Sequence, residues 1–549
     1  MTNKDLADLI FPNITKTIDD YRKIYPKREE GLVVTRFAPS PTGFMHIGNF
    51  QQAVTDYVVA KSKGGIFILR NEDTDKAREN KEAVDVIMDT LIEYDMKPDE
   101  YQYHDEIVGE YGPYIQSERK EIYQAFIKHF ISIGRAYPCF CSKDDLASLR
   151  EEQTRDKVRT GYYGKYANCK NLSIDEYVER IKNGEDYVIR FRSMGDYEKR
   201  FKFKDLVKGE IEFPENDLDI IIMKADGLPT YHFAHLVDDY LMGTTHVIRG
   251  EEWLSSVPTH IELFRTLGVK PPKYIHSPLI MKKDGDIVRK ISKRKDPEAS
   301  MSYYREHGFP EIAVIESLMT IINSNYEEWH NANPDKSFLD FEYSPKKMSS
   351  SGALYDLDKL INISKNIISK MSKEELCDKA YKWALKYDSK LKELIDRDKE
   401  YFMEVINIER EQKKPRKDIA KYEDIIDNIW YMYDDLYEDA DKTYEYQNIT
   451  DMNEIKKILN LYMDKYFNID DKDTWFNNIK LLSEELGYAG NMKEYKAEPD
   501  KFKGNVADVS TVLRVALTTK SMTPDLYEIM KIMGKDRVVS RYEELLSKV

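Results

Sequence analysis

The sequence predicts an α/β fold: a parallel-sheet domain split by an inserted α+β segment, then an all-helical half. Three observations carry this. From Gly31 to Leu267, short apolar runs alternate with amphipathic stretches, as in a parallel sheet covered on both faces. Between about Arg135 and Lys224 the alternation becomes period-two, as in antiparallel strands. After Ser300, apolar residues recur at three and four almost to the end of the chain. At 549 residues the chain exceeds one core, so about two to four domains are expected.

Residues 1–30 carry Leu6, Leu9, Ile10, Ile14 and Ile18 at helical spacing, a lead-in packed on the first α/β domain. The basic stretch from Arg22 to Arg28 reads as a solvated face. Gly31–Phe37 reads as a buried strand, and the Pro39, Pro41 and Gly43 punctuation after it forces a turn. A helix is expected from about His46 to Lys63, a strand from Gly65 to Arg70, and helices from Glu79 to Glu93 and Gln116 to Ile133. Within the insertion, Val188–Arg192, Gly209–Phe213 and Asp217–Met223 read as strands. The first pattern then resumes: helix Tyr231–Leu241, strand His246–Arg249, helix Trp253–Leu267. In the helical half the repeats include Ile312, Ile315, Leu318 and Met319, then Leu391, Leu394 and Ile395, then Leu526, Ile529 and Met530. No fixed period appears, which points to irregular helical packing.

Composition narrows the function classes. Hydrophobic content of 41% and aromatic content of 12% exclude wholesale disorder. A net charge of -15 argues against indiscriminate nucleic-acid coating, although a local basic face remains open. No apolar run approaches the ~20 residues needed to span a bilayer. Four cysteines do not make a disulfide framework, and the first residues lack a signal-peptide layout, so the cytoplasm is the expected compartment.

Strand, tight turn and helix start at Arg36–Asn49 aim backbone N–H groups and a positive helix end at an anion. Far downstream, Arg289–Lys295 concentrates cations after the turn Lys283–Asp286. Alone, either stretch reads as an ordinary turn or a solvated loop. Together they resemble the two signatures of class I aminoacyl-tRNA synthetases, His-Ile-Gly-His and Lys-Met-Ser-Lys-Ser. The blocks Leu69–Asp75, Leu228–Tyr231, Val237–Asp239, Val247–Trp253, Ser351–Leu360 and Leu513–Thr518 resemble bacterial glutamyl-tRNA synthetases over nearly the whole chain after residue 30.

The resemblance implies a Rossmann-like catalytic domain (31–134 and 225–300) and a tRNA acceptor-binding insertion (135–224). It further implies a helical stem-contact region (301–345) and an anticodon-binding region (346–549). It implies glutamate–tRNA ligase activity: ATP, carried with Mg2+, activates L-glutamate to an adenylate, which is passed to tRNA(Glu). His46, Gly48, Asn49, Glu252, Lys290 and Lys293 are the implied ATP ligands, with His46, Lys290 and Lys293 catalytic. Arg36, Ser40, Glu72, Tyr231, His235, Arg249 and Trp253 are the implied glutamate pocket. The residue types suit the task, since charge must be spread and the partners aligned, and an arginine fork pairs bidentately with a carboxylate. Arg249 could instead pair only with Glu251 or Glu252, and Trp253 could be core.

Two positions depart from the family. Asn49 stands where a histidine often does, and His235 where many relatives have Asn, which could make binding pH-sensitive or be a satisfied helix histidine. Cys139, Cys141 and Cys169 invite zinc, as in some relatives, with Tyr162, Tyr163 or Tyr166 as the fourth donor; three free thiols are the alternative. The run Lys413–Lys417 suits phosphate contacts or a solvated loop, and Arg22–Arg28 could touch tRNA. A monomer without membrane attachment is expected. The rivals are a glutaminyl-tRNA synthetase, whose usual Pro-Glu-Pro-Asn-Gly is absent at Ala38–Gly43, and a catalytically silent RNA-binding paralogue, disfavoured by the intact phosphate ligands.

Overall fold

The structure, a computed structural model, describes residues 1–41, 43, 45–74 and 81–548. Thr42 and Phe44 of the Pro-rich turn, Asp75 and the expected helix start at Glu79 lie outside the described residues. Two compact units emerge: residues 1–304 with 314–356, and residues 305–313 with 357–549.

Unit one begins with α1 (Asn3–Ile10) and α2 (Ile18–Ile24), each opened by a capping box, Thr2 with Asp5 and Thr17 with Asp20. Leu6, Phe11, Ile18 and Tyr21 share a core with Ile122, Phe126 and Phe130, so the lead-in packs as expected. The basic stretch departs from the solvated reading at Arg28, whose side chain is 8% exposed. Its fork reaches Glu100 bidentately at 2.8 and 2.7 Å and lies 3.8 Å over the Tyr111 ring. A partnered carboxylate plus an aromatic face is what allows that cation to be buried.

Next, β1 (Val34–Phe37), α3 (Ile47–Lys61) and β2 (Ile66–Leu69) form a βαβ unit with β1 parallel to β2. Gly65 enters β2 where a Cβ would meet Val33 O at 2.2 Å. Then come α4 (Lys81–Glu93), an unanticipated hairpin of β3 (Tyr101–Tyr103) and β4 (Glu106–Val108), and α5 (Lys120–Ser132) behind a 3-10 turn at Gln116–Arg119.

The insertion holds β5 (Ala136–Cys139), α6 (Lys143–Arg155), α7 (Ile174–Lys182), β6 (Val188–Phe191), β7 (Arg200–Asp205), β8 (Gly209–Pro214) and β9 (Ile221–Met223). As expected it is antiparallel, β6 pairing with β5 and β9, and β7 with β8. Only the end of Asp217–Met223 is strand. Upstream, Asp219 turns a fully buried carboxylate inward to accept from Tyr137 Oη, Lys170 Nζ and Ser193 N, which breaks the extended run.

Beyond the insertion, α8 (Tyr231–Leu241), β10 (His246–Gly250), α9 (Val257–Leu267) and β11 (Lys273–Ser277) restore the parallel pattern, β10 pairing with β11. The helix expected from Trp253 starts at Val257. Pro258 stands in its first turn, where its fixed φ and missing N–H suit a helix beginning, and a 3-10 segment covers Glu251–Ser256. Thr245 N–H donates to Val34 O at 2.9 Å, which sets β10 beside β1. The carboxyl ends of β1, β2, β10 and β11 therefore open on one region, with the change of strand order between β1 and β10. The turn Lys283–Asp286 joins β12 (Ile280–Asp284) to β13 (Ile287–Lys290) as an antiparallel hairpin. The later chain is not wholly helical: β14 (Ala353–Leu354) pairs parallel with β12.

Unit two is helical, from Leu357–Lys370 and Lys373–Tyr387 to Val506–Thr518, Leu526–Met533 and Lys535–Lys548. The residues singled out by periodicity, Leu391, Leu394, Ile395, Leu526, Ile529 and Met530, are all buried in its core. In the other unit, Ile315, Leu318 and Met319 are buried likewise.

Candidate active site

A cleft of 310 Å³ opens at the start of α3 and the ends of β10 and β11, lined in part by His46, Gly48, Asn49, Glu252, Ser277 and Lys290. His46 caps α3: its Nδ1 accepts the Gly48 N–H at 3.0 Å. That acceptance places the imidazole proton on Nε2, available as a donor. Burial first, then Lys293 and Lys290, pushes His46 down to about 4, so the ring is neutral at neutral pH. Glycine at 48 keeps the contact close, since a Cβ would stand 3.3 Å from Nδ1. At the other wall the Glu252 carboxylate folds onto Gly250, where a Cβ would meet its Oε2 at 2.1 Å.

The cationic loop follows β13. Asp296 takes the Arg289 fork at 2.7 and 2.8 Å and accepts Ser292 N–H at 2.9 Å, and these bonds, Arg289 first, hold its carboxyl well below the usual range. Lys282 pairs with Glu298 and Asp296. The anions built into this loop thus tie down Arg289 and Lys282, while the exposed Lys290 and Lys293 bear electrostatically on His46.

The second half of the site lies where β1, β2 and β10 end. Arg36 and Arg249 are each 4% exposed, and Glu72 7%. Arg36 Nε donates to Asp239 at 3.2 and 3.4 Å and its Nη1 to Ile248 O at 3.3 Å. Glu72 accepts from Arg70 at 3.0 Å, and its N–H donates to Pro39 O at 3.1 Å, tying it to the Pro-rich turn. Burial raises the Glu72 pKa despite Arg70 and Arg36, so a cation arriving there would be strongly favoured. Asp239 joins the set, accepting from Arg70 at 2.7 Å and lying 2.5 Å from His235 Nδ1.

Arg249 pairs with neither Glu251 nor Glu252. Its Nε donates to His276 Nε2 at 2.9 Å, Nη1 to His260 Nδ1 at 3.0 Å, and Nη2 to Trp253 O at 3.4 Å. No carboxylate among the described residues lies within ion-pairing distance of it. Trp253 is not core: half-buried, it packs on Tyr231 with ring centroids 4.3 Å apart. Ser40 sits exposed in the turn. His235 does not reach the cleft. It is fully buried between Asp239 and Tyr274 Oη (2.9 Å), stacked on the inner side of Tyr231, and burial pushes it down to about 4. That placement favours the helix-histidine reading over a direct contact with the substrate.

In the insertion, the ligand atoms of Cys139, Cys141 and Cys169 lie within 4.8 Å of one another. Of the three tyrosines, Tyr162 is the one that faces the sulfurs: its Oη stands 3.4 and 3.3 Å from Cys139 and Cys141 Sγ and accepts Cys169 N–H at 2.9 Å. Tyr163 and Tyr166 turn away to Arg159 O and Asp156. Contacts from Cys141 and Cys169 drive the Cys139 thiol toward the thiolate, while contacts from Cys139 and Cys169 push the Cys141 thiol up and burial pushes the Tyr162 hydroxyl up. Three sulfurs and one oxygen around a common point fit a zinc ion in ligand number and chemistry.

Sequence reasoning missed Asp239 as the hub of the charges, and missed His232, His260, His276 and Asp205 behind Arg249. Asp239 stood inside the block Val237–Asp239, but the histidines are scattered over separate elements with no shared spacing.

Residues 32–341 match the family described as tRNA synthetases class I (E and Q), catalytic domain, and residues 375–546 match the anticodon binding domain family. Among curated relatives, a glutamate–tRNA ligase of Acetivibrio thermocellus is 46% identical over 549 residues, and one of Clostridium perfringens 47% over 551, each covering 100% of both chains. The crystal structure of a glutamate–tRNA synthetase from Elizabethkingia anophelis superposes with a TM-score of 0.74 at 26% identity, covering 94% of this chain and 100% of that one. With both signature stretches at the cleft and the parallel-sheet fold borne out, the chain belongs to the glutamate–tRNA ligase family of class I tRNA synthetases.

Proposed function

We propose that this chain joins L-glutamate to tRNA(Glu) at the expense of ATP, through a glutamyl-adenylate. The observation that carries the reading is Arg249: a buried guanidinium with no carboxylate partner among the described residues, which bears electrostatically on Tyr231 together with Arg36 and Glu72, at the strand ends next to the cleft. Two cations and one anion are what an amino acid with two carboxylates and one ammonium requires.

In this reading the neutral His46, through Nε2–H, and the N–H groups after Gly48 hold ATP phosphates, joined by Asn49 and Glu252 along the cleft. Lys290 and Lys293 neutralise the β- and γ-phosphates as the glutamate carboxylate attacks the α-phosphorus and pyrophosphate leaves. Magnesium travels on the ATP phosphates and spreads their charge. Arg36 and Arg249 take the two carboxylates, Glu72 the ammonium, Tyr231 adds a hydroxyl, and Trp253 and Ser40 border the pocket. The terminal adenosine hydroxyl of tRNA then attacks the adenylate carbonyl. Residues 135–224 grip the acceptor end, 301–345 the stem and 346–549 the anticodon, the last supported by the match over 375–546. Zinc on Cys139, Cys141, Cys169 and Tyr162 would brace the insertion rather than take part in the chemistry. The protein acts as a cytoplasmic monomer.

The test is tRNA-dependent ATP–pyrophosphate exchange with glutamate and with glutamine, together with charging of tRNA(Glu) and tRNA(Gln). Exchange with glutamate alone is expected. Exchange with glutamine but not glutamate would make the chain a glutaminyl enzyme, and no exchange with either would make it a silent paralogue.

A further inference from the structure

Arginine carries five N–H donors and no acceptor, so every atom bonded to Arg249 must accept. Two of those atoms are imidazole nitrogens, His276 Nε2 and His260 Nδ1. Both rings are therefore neutral, and their tautomers are set by Arg249. His260 keeps its proton on Nε2 and donates to His232 Nδ1 at 2.9 Å. His276 keeps its proton on Nδ1 and donates to Asp205 Oδ2 at 2.6 Å. Asp205 in turn accepts the Val207 and Lys208 N–H groups, each at 2.8 Å. The nearest negative charge on this chain of bonds is thus one imidazole removed from the guanidinium.

The neighbouring buried arginines are treated differently. Arg36 and Arg70 share Asp239, Arg70 also holds Glu72, and Arg119 holds Asp238 at 2.7 Å. Only at Arg249, of these four, do neutral acceptors replace carboxylates. Carboxylates would have satisfied the same N–H groups and cancelled the charge as well.

We propose that His260 and His276 are positioning residues that orient Arg249 through neutral acceptors and so reserve its positive charge for the carboxylate of the amino-acid substrate. The proposal rests on the reading that Arg249 meets that carboxylate. The physical reason is exchange: an internal carboxylate would have to be displaced, leaving it buried and unpaired, before the substrate could bind. With imidazoles, the substrate is the first full anion the guanidinium meets, while its plane is already held by bonds to Nε and Nη1. Burial supports the neutral state, pushing His260 and His276 down and His232 to about 4.

The experiment compares full-length variants in tRNA-dependent ATP–pyrophosphate exchange, reading KM for glutamate, KM for ATP and thermal midpoint. His260→Asn leaves a neutral acceptor where Nδ1 stood, and His260→Asp is the same size but charged. His260→Asn should raise KM for glutamate less than about tenfold, and His260→Asp more than about a hundredfold, with KM for ATP within about threefold. The thermal midpoint of His260→Asp should equal or exceed that of His260→Asn, because the new carboxylate pairs with Arg249. Equal effects of the two on glutamate KM would overturn the proposal. Arg249→Ala separates the premises: if it leaves glutamate KM unchanged, the substrate role of Arg249 fails, not the histidine mechanism alone. Should His260→Asp not fold, histidine-labelled 15N NMR of the unmodified protein decides. Neutral rings of opposite tautomer at 260 and 276, unchanged by glutamate, are expected; an imidazolium at either position at pH 7 refutes the idea.

Discussion

Asp239→Asn isolates charge from shape at the hub of the pocket. Asp239 is 2% exposed and meets Arg36 at 3.2 Å, Arg70 at 2.7 Å, Thr244 Oγ1 at 3.2 Å and His235 at 2.5 Å. Arg70 would keep Glu72 at 3.0 Å and Asp238 at 3.7 Å, so its charge is not orphaned. Among the hydrogen bonds of the described residues, Arg36 would keep the one to the Ile248 carbonyl at 3.3 Å and no ion pair. The cost is then that of one buried cation losing its partner, about 3 kcal/mol at the lower end of such losses. At about 1.4 kcal/mol per decade this is roughly a 150-fold rise in opening of the sheet. The folded Asp239 pKa lies well below its unfolded value: burial opposes the charged form, but Arg70 and Arg36 outweigh it. Its contribution is therefore fully present above pH ~4 and lost only as pH falls through the folded value. The Asn penalty should accordingly be the same at pH 6 and pH 8. Hydrogen–deuterium exchange of β1, β2 and α8 measures it, with the helix Val506–Thr518 of the other unit as internal control. A rise below about threefold in those strands, or an equal rise in the control helix, would refute the assignment of Asp239 as the counter-charge.

The remaining expectations concern catalysis, metal and acid. Lys293→Ala should slow single-turnover adenylate formation by about a hundredfold or more while changing glutamate affinity less than about threefold; equal losses in both would make the loop merely structural. Purified protein should carry about one zinc per chain by elemental analysis, and Cys169→Ser should remove it and lower the thermal midpoint, whereas metal-free wild-type protein would return the cysteines to three free thiols. Burial, as the largest cause, holds His46, His232, His235 and His246 down to about 4. The unfolded chain then binds more protons than the folded one between pH ~6.5 and ~4, so stability should fall with pH in that window, by at most about 1.4 kcal/mol per unit for each ring. Chemical denaturation at pH 7.5, 6 and 5 checks the sign, and a midpoint that rises on acidification would contradict it.

What the sequence revealed divides along a physical line. Local patterns carried the elements: periodicity at Tyr231–Leu241 and Leu526–Met530, and the Pro39–Gly43 punctuation before α3, act through near neighbours in the chain. Motif residues at strand ends were legible too, because Arg36, Glu72 and Arg249 sit in short blocks whose register the sheet fixes. Polar partners remote in sequence were not. Asp205 and His276 are 71 residues apart, and Arg28 and Glu100 72 apart, so no spacing rule joins them. The fourth thiol-site donor illustrates the same limit: Tyr162, Tyr163 and Tyr166 are equivalent on paper, and only the fold decides which hydroxyl faces the sulfurs. His235 was ambiguous for the same reason: it stands one turn after Tyr231 on a buried helix face, and only the fold shows that its ring meets Tyr274 and Asp239.

The two pocket arginines differ in how their charge is already spent, and that difference can be measured. Arg36 arrives with Asp239 attached, so a substrate carboxylate gains only the part of its charge that Asp239, shared with Arg70, does not use. Arg249 arrives with imidazoles and offers its full charge. A charge-assisted bond contributes about 1.5–3 kcal/mol, and prior compensation moves Arg36 toward the bottom of that range and Arg249 toward the top. Arg249→Ala should therefore raise KM for glutamate by about a hundredfold or more, and Arg36→Ala by about tenfold. The structural effects run the same way: Asp239 keeps Arg70 when Arg36 is lost, whereas losing Arg249 leaves His260 and His276 without their shared donor. Steady-state ATP–pyrophosphate exchange over a range of glutamate concentrations gives both ratios. If Arg36→Ala proved the more damaging, charge compensation by Asp239 would not govern the pocket, and the geometry of the Arg36 fork against the substrate would.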